Sequence, residues 1–317
     1  MHPILELAPL HGVSNRVYRN AFVRHFPDFD SAMAPFILSV DAATMKASHY
    51  KDLAPEYNTR IPIIPQILSG QAADFIGTAR VLADLGYGEI NWNLACPYPM
   101  VTRKKRGAGL LPHPDFVERF LDAVFKADSF RLSVKLRLGL VDADEILRIL
   151  AVLNAFPLSR VIIHPRIATQ LYGGEVDLDG FKRALEMSRH RIVYNGDIIS
   201  LDSFNTVQRC FPEINEWMIG RGAIANPLLP AQIKGKTRPV DGFKAIKDFH
   251  ADLYTSYRET LDGQRHVLDK MKEVWSYLSL SCTNGEQVIK KISRATSFLS
   301  YEAAVAAVFS GEEWLPR

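Results

Sequence analysis

The chain has 317 residues, of which 47% are hydrophobic and 23% charged, with a formal net charge of +3. This composition excludes a disordered chain and a small domain that depends on disulfides, because there is ample apolar material for a core. A charge this small permits an RNA partner without demanding one, and any nucleic-acid surface must gather its cations on one face. Cys96, Cys210 and Cys282 are widely spaced and odd in number, which suits neither a metal site nor a disulfide framework. The stretch Met1-His2-Pro3-Ile4-Leu5-Glu6-Leu7 has no basic leader and no long apolar run. The expectation is a cytoplasmic chain with no membrane partner.

Residues 4–7 read as a strand, and Ser14 is placed to cap a helix carrying Val17, Tyr18, Ala21 and Phe22. Residues 31–33 form a short second strand, and 61–68 a third that is interrupted by Pro62 and Pro65. A helix over 72–85 spaces Phe75, Ala79, Leu82 and Leu85 at helical intervals. Then comes the stretch around which the chain is organised, Glu89-Ile90-Asn91-Trp92-Asn93-Leu94-Ala95-Cys96-Pro97. Ile90, Trp92 and Leu94 alternate at period two, and Pro97 and Pro99 end the run by removing ladder donors. A helix over 115–125 directs Phe116, Phe120, Ala123 and Val124 inward. Further strands are expected over 131–136, 160–163, 191–194 and 216–219, with helices over 143–153, 179–188 and 203–210. Eight β-runs, most followed by a helix, over roughly 230 residues fit a (β/α)8 TIM barrel of about 250 residues. A doubly wound open sheet is the alternative.

From Lys234 to Pro239 the composition turns polar, and after it the β-runs stop. Helical stretches are expected over 243–258, 267–279, 285–298 and 301–309. The expected division is therefore an α/β barrel over 1–238 and an all-helical domain over 239–317.

Polar residues gather at the carboxyl ends of the expected strands, where such barrels place their chemistry. Cys96 follows the fourth strand, with Asn93 close by, then Arg103-Lys104-Lys105-Arg106 and Gly107-Ala108-Gly109. A lone cysteine is more often a packed small hydrophobe than a catalyst, and a basic run is usually a solvated face. Lys135 lies inside an apolar strand, where a cation is costly unless it meets an anion or snorkels out. His164 ends another strand, and a structural histidine is the plain alternative. Asn195-Gly196-Asp197 and Gly220-Arg221-Gly222 end the last two strands. Each alone could be an ordinary turn; together they favour phosphate binding. With Gln66 in the third strand and Pro9 and Leu10 after the first, a flat ring over the barrel mouth suggests a flavin.

At these residues the chain resembles the tRNA-dihydrouridine synthases. The resemblance runs through Leu7-Ala8-Pro9-Leu10-His11-Gly12-Val13, Gln66, Asn91 to Pro97, Gly107 to Leu111 and Val134-Lys135-Leu136-Arg137-Leu138-Gly139. It continues through His164-Pro165-Arg166, Tyr172-Gly173-Gly174, Asn195 to Ile198, Met218 to Ala223, Lys270-Met271-Lys272 and Trp275 to Leu278. It implies a flavoenzyme that binds FMN, takes electrons from NADPH and reduces the C5–C6 bond of uridines in tRNA to 5,6-dihydrouridine. Hydride from reduced FMN would reach C6, and Cys96 would give the proton to C5. Pro9, Leu10, His11, Gln66, Lys135 and His164 would line the flavin. Asn195, Gly196, Asp197, Gly220 and Arg221 would hold its phosphate. Asn93, Ala95, Tyr172, Arg103, Lys270 and Lys272 would meet the RNA. No metal is implied, and the chain is expected to act as a monomer. The C-terminal helices look most like the bacterial C-type subfamily.

The sequence departs from the family pattern at Ala34-Pro35, Ala95, Thr102 and Pro165, which leaves the modified position open. The other readings are an FMN barrel acting on a free pyrimidine or on ribosomal RNA, and a non-catalytic flavin- or RNA-binding relative.

Overall fold

The computed structural model describes residues 2–40, 46–127, 130–236, 242–311 and 314–315. The strands are β1 (Ile4–Leu7), β2 (Ser31–Met33), β3 (Ile37–Leu38), β4 (Ile63–Ile64), β5 (Gln66–Leu68), β6 (Glu89–Leu94), β7 (Arg131–Gly139), β8 (Val161–Ile167), β9 (Ile192–Tyr194) and β10 (Glu216–Ile219). All eight expected β-runs are present. Pro65 splits the third into β4 and β5, since it has no N–H for the ladder. The short β3 is an addition.

Helices follow the strands: α1 (Arg16–His25), α2 (Ala72–Asp84), α3 (Pro99–Thr102), α4 (Pro114–Ala127), α5 (Glu145–Leu153), α6 (Leu178–Met187), α7 (Leu201–Cys210) and α8 (Arg221–Ala225). After β2 the described residues of the crossover form β3 and short 3-10 turns, with no α-helix among them. The strand–helix alternation with parallel pairing makes this a (β/α)8 TIM barrel, followed by a helical C-terminal region. That region comprises α9 (Leu229–Ile233), α10 (Gly242–Thr260), α11 (Gln264–Leu278), α12 (Gly285–Ser293) and α13 (Phe298–Gly311). The expected junction at 238/239 lies outside the described residues.

The chain divides into two compact units. One comprises residues 33–196 and 214–218. In it β3, β5, β6, β7, β8, β9 and β10 follow one another in a parallel sheet. β6 is buried on both faces: Ile90, Trp92 and Leu94 are fully covered, and so is Asn91. Trp92 stacks on Phe120 of α4 at 3.9 Å between centroids, and Phe75 of α2 meets both edge-on. On α4 the buried face is Val117, Phe120, Leu121 and Val124. Phe116 and Ala123, expected inside, lie at its margin, because the apolar stripe is rotated by about one residue. At the amino ends of the strands, Arg160 bridges Glu89 at 2.9 Å and Glu216 at 3.7 Å, with Arg131 and Arg191 outside them.

The other unit comprises residues 1–32, 197–213 and 219–317. Here β1 pairs with β2 in parallel, Glu6 opposite Ser31. Phe22 of α1 sits among Tyr18, Phe26, Phe29 and Phe249 of α10. The cap of α1 is Asn15, whose side chain accepts from Tyr18 N–H. Ser14, expected there, is one residue too early, and its hydroxyl is used within the preceding loop. The helix expected over 285–298 stops at Ser293. A fresh helix starts after Ser297, whose hydroxyl accepts from Ser300 N–H at 3.2 Å.

Candidate active site

In the first unit a ladder of neutral polar groups crosses the sheet. Gln66 Nε2 donates to Asn91 Oδ1 at 2.8 Å, and Asn91 Nδ2 donates to Ser133 Oγ at 3.0 Å. Asn93 Nδ2 donates to Gln66 Oε1 at 2.8 Å. Register explains the set: Gln66 pairs with Asn91, and Asn91 with Ser133, across β5, β6 and β7. All four side chains are buried, so each must be satisfied within the protein.

Asn93 spends its oxygen on the loop beyond the strand. Its Oδ1 accepts from Ala95 N–H and Cys96 N–H, both at 2.9 Å. The chain is thereby turned at the end of β6 so that Cys96 sits just past it. Gly107 closes the loop from the other side. It has φ +54°, and a Cβ there would stand 2.9 Å from Cys96 Cβ. Ala108 N–H donates to the Cys96 carbonyl at 3.1 Å. Cys96 is 6% exposed. Burial pushes its thiol up from the ordinary value, against smaller downward pulls from a Tyr98 backbone hydrogen bond, Arg137 and Lys135.

Basic side chains line the neighbouring strands: Lys135, Arg137, His164 and Arg166 are all buried. Arg137 Nε donates to the Ala95 carbonyl at 3.0 Å and Nη1 to the Ile167 carbonyl at 3.2 Å. Its guanidinium lies 5.4 Å from the Tyr172 ring centre. Burial pushes the Arg137 pKa down to about 10, opposed by Tyr172 and assisted by Arg166, so the group stays charged at neutral pH. Arg166 donates to the Gly173 and Gly174 carbonyls at 3.1 and 2.6 Å and meets His164 Nε2 at 3.3 Å. The His164 and Tyr172 rings are nearly parallel, 6.2 Å apart. The structure thus brings Gln66, Asn93, Ala95, Cys96, Lys135, His164 and Tyr172 into one unit. Arg103 is exposed, at the end of α3 in the segment that follows Cys96.

Arg137 and Arg166 were not assigned a role from sequence. Each is a charge within a largely apolar strand, Arg137 two residues after Lys135 and Arg166 two after His164. Pro165, expected in a loop, lies inside β8. It sits where the pairing with β7 shifts between Arg137 and Gly139, a bulge that tolerates a residue without a ladder donor. Asn195 Nδ2 donates to the Met218 carbonyl at 2.8 Å. Gly196 passes so close to Pro165 that a Cβ would stand 2.9 Å from its ring.

In the second unit Arg221 donates to Asp197 Oδ1 at 2.8 Å, both groups being partly exposed. Gly220 lies against Ala8 and Leu10, where a Cβ would fall at 3.3 and 3.4 Å. Pro9 and Leu10 are half-buried and His11 is exposed. Lys270 is already engaged with the Gly12 carbonyl and Glu273, and Lys272 is half-buried. No group of side chains suited to a metal ion occurs among the described residues. No helix among them is long and apolar enough to cross a membrane.

A family model described as dihydrouridine synthase (Dus) matches residues 6–309. The chain belongs to the dihydrouridine synthase family. It is 28% identical over 263 residues to a probable tRNA-dihydrouridine synthase of Rhodobacter capsulatus, covering 80% of this chain and 79% of the relative. It is 25% identical over 299 residues to the tRNA-dihydrouridine(16) synthase of Haemophilus influenzae, covering 90% and 94%. Among solved structures it is similar to morphinone reductase, with a TM-score of 0.53, 12% identity, and 74% and 86% of the two chains covered. It is also similar to a 2-naphthoyl-CoA reductase, with a TM-score of 0.56, 14% identity, and 73% and 50% covered. At such identities the likeness to these two reductases is one of fold. Membership of the family makes this an enzyme of dihydrouridine synthesis.

Proposed function

We propose that the chain reduces the C5–C6 double bond of a uridine in tRNA, with FMN bound on the barrel and NADPH as the source of electrons. The observation that carries the reading is the buried Cys96 thiol, fixed by Asn93 at the end of β6 beside Arg137. The donor set suits a flavin. Gln66, Lys135 and His164 offer an amide, a cation and an imidazole to the polar edge of a flat ring. Arg221 offers charge to a phosphate, paired with Asp197 and next in sequence to Gly220, and Asn195 and Gly196 precede Asp197. Pro9, Leu10 and His11 would flank the ring. When bound and reduced, FMN supplies the hydride that adds to C6.

The chain's own residues account for the rest. Hydride addition leaves negative charge spread over C5 and O4 of the uracil. Cys96 gives its thiol proton to C5, and burial keeps that proton on sulfur at neutral pH. Lys135 and Arg137 are fixed cations that favour the developing charge. Asn93 holds the acid in place through Oδ1, and its amide nitrogen donates one of its two hydrogens to Gln66, leaving the other for the base. Tyr172 would stack on the uracil, which has to leave its place in the RNA to be reached.

We further propose that residues 1–238 form the catalytic barrel and 239–317 an RNA-binding domain, in a monomeric cytoplasmic enzyme. Support comes from a groove of about 660 Å³ between α12 and α13 lined by Lys290, Lys291 and Arg294 over Ala295 and Ala304. None of the described residues that line it is acidic. Such a surface suits a phosphodiester backbone.

The test is nucleoside mass spectrometry on unmodified tRNA incubated with the protein, FMN and NADPH. Uridine should gain two hydrogens at one position. The names of the relatives make position 16 the first to examine. No gain on tRNA from a protein that binds FMN would sink the reading and point to ribosomal RNA or a free pyrimidine. Without FMN binding, a non-catalytic role would stand.

A further inference from the structure

The loop between β1 and α1 carries Pro9, Leu10 and His11, which the flavin reading places at the ring. Inside the loop, Ser14 Oγ accepts from Leu10 N–H at 2.8 Å, and Ser14 N–H donates to the Leu10 carbonyl at 3.0 Å. Gly12 stands at φ +89°, a conformation that favours glycine. The loop is also tied from outside. Lys270 Nζ, on α11, donates to the Gly12 carbonyl at 2.5 Å. The same ammonium pairs with Glu273 one turn along at 3.2 Å. Glu273 covers Gly12 so closely that a Cβ there would stand 2.5 Å from its carboxylate. Tyr257 of α10 adds a bond from its hydroxyl to Asn15 Oδ1 at 3.3 Å, at the loop's far end. Leu10, in the middle, lies against Gly220, the residue before Arg221.

A lysine kept for RNA would point its charge at solvent. Lys270 instead gives one hydrogen to a backbone carbonyl and another to a carboxylate, and is only part exposed. A charge-assisted bond to a carbonyl fixes the loop more firmly than a neutral one would. We propose that Lys270, oriented by Glu273, is a positioning residue that sets the β1–α1 loop for the flavin, and is not a contact to RNA. The inference rests on the flavin reading above. It places the link between the helical region and the cofactor in one side chain.

The experiment compares the full-length protein with K270M, K270R and E273Q. FMN affinity is read from quenching of flavin fluorescence, the bound flavin's absorption spectrum is recorded, and tRNA affinity is measured against salt. K270M should bind FMN roughly ten-fold more weakly, the size of change expected for about 1.4 kcal/mol. Its bound-flavin spectrum should shift, while the salt slope of tRNA binding stays as in the wild type. K270R should restore most of the affinity and the spectrum, which a general loss of folding would not allow. E273Q should move FMN affinity in the same direction by less. If K270M leaves FMN untouched, the proposal fails, whether or not the tRNA salt slope drops by about one phosphate contact. If K270M does not fold, E273Q decides, and wild-type FMN affinity in that variant would refute the proposal. Absence of FMN binding by the wild type would sink the flavin reading itself, a result distinct from all of these.

Discussion

At the scale of single residues, the Cys96 thiol is buried within a group of cations and yet stays protonated. Lys135 and Arg137 pull its pKa down, but loss of water outweighs them and the balance is upward. For an acid this has a consequence in pH. In the proposed acid role the protonated thiol is the active form, and raising its pKa extends the active range toward alkali. Dihydrouridine formation should be flat through neutral pH and fall only above the ordinary thiol range of about 8.5. Cys96→Ala should lower turnover by about 10² to 10⁴-fold, the usual worth of a general acid, with FMN affinity retained. A stopped-flow pH profile of flavin reoxidation by tRNA checks both. A rate that falls between pH 6 and 8, or an active alanine variant, would remove Cys96 from the acid role.

At the scale of elements, the helical region is knit by one buried polar node. Trp275 Nε1 of α11 donates to the Tyr301 hydroxyl of α13 at 3.0 Å, and that hydroxyl lies 2.7 Å from His250 Nε2 of α10. Burial pushes the His250 pKa down to about 3, so the ring is neutral where it meets the Tyr301 hydroxyl. In the unfolded chain the same histidine titrates near its ordinary value of about 6.5. Between these values the unfolded state binds the extra proton. The contribution to stability is therefore full above about pH 6.5 and is lost as pH falls toward 3, at about 1.4 kcal/mol per unit from this group. Thermal melts should show the wild type losing Tm between pH 7 and pH 5 more steeply than His250→Phe. Parallel slopes for the two proteins would show that this node does not govern acid stability.

At the scale of the whole molecule, a net charge of +3 leaves RNA binding to local arrangement. Lys290 and Lys291 on α12 and Arg294 just after it share one groove. Replacing all three by glutamine should lower the slope of log affinity against log salt by roughly 2 to 3, since each phosphate contact contributes about 0.7 to 0.9. Filter binding of tRNA over a salt series reads this directly. An unchanged slope would place the RNA path elsewhere on the chain. FMN affinity should stay as in the wild type, since these residues belong to the helical region alone.

The sequence by itself determined the barrel's strands and the helical tail. Period-two apolar runs such as Ile90, Trp92 and Leu94, cut by proline and glycine, are local signals that need no partner to be read. It also marked Cys96, Lys135 and His164, because a polar or reactive group at the end of a buried strand is out of place unless it is used. Only the tertiary structure decided what those groups touch. Gln66, Asn93 and Ser133 are tens of residues apart, and it is the register of β5, β6 and β7 that sets them side by side. The same holds for Arg137 on the Ala95 carbonyl, Gly107 behind Cys96 and Lys270 on Gly12. A side chain's hydrogen-bond partner is fixed by folded geometry, which residue type and spacing along the chain do not encode. Lys270 shows the difference: in sequence it is one more cation on a basic helix, and in the fold it is a tie on a backbone carbonyl.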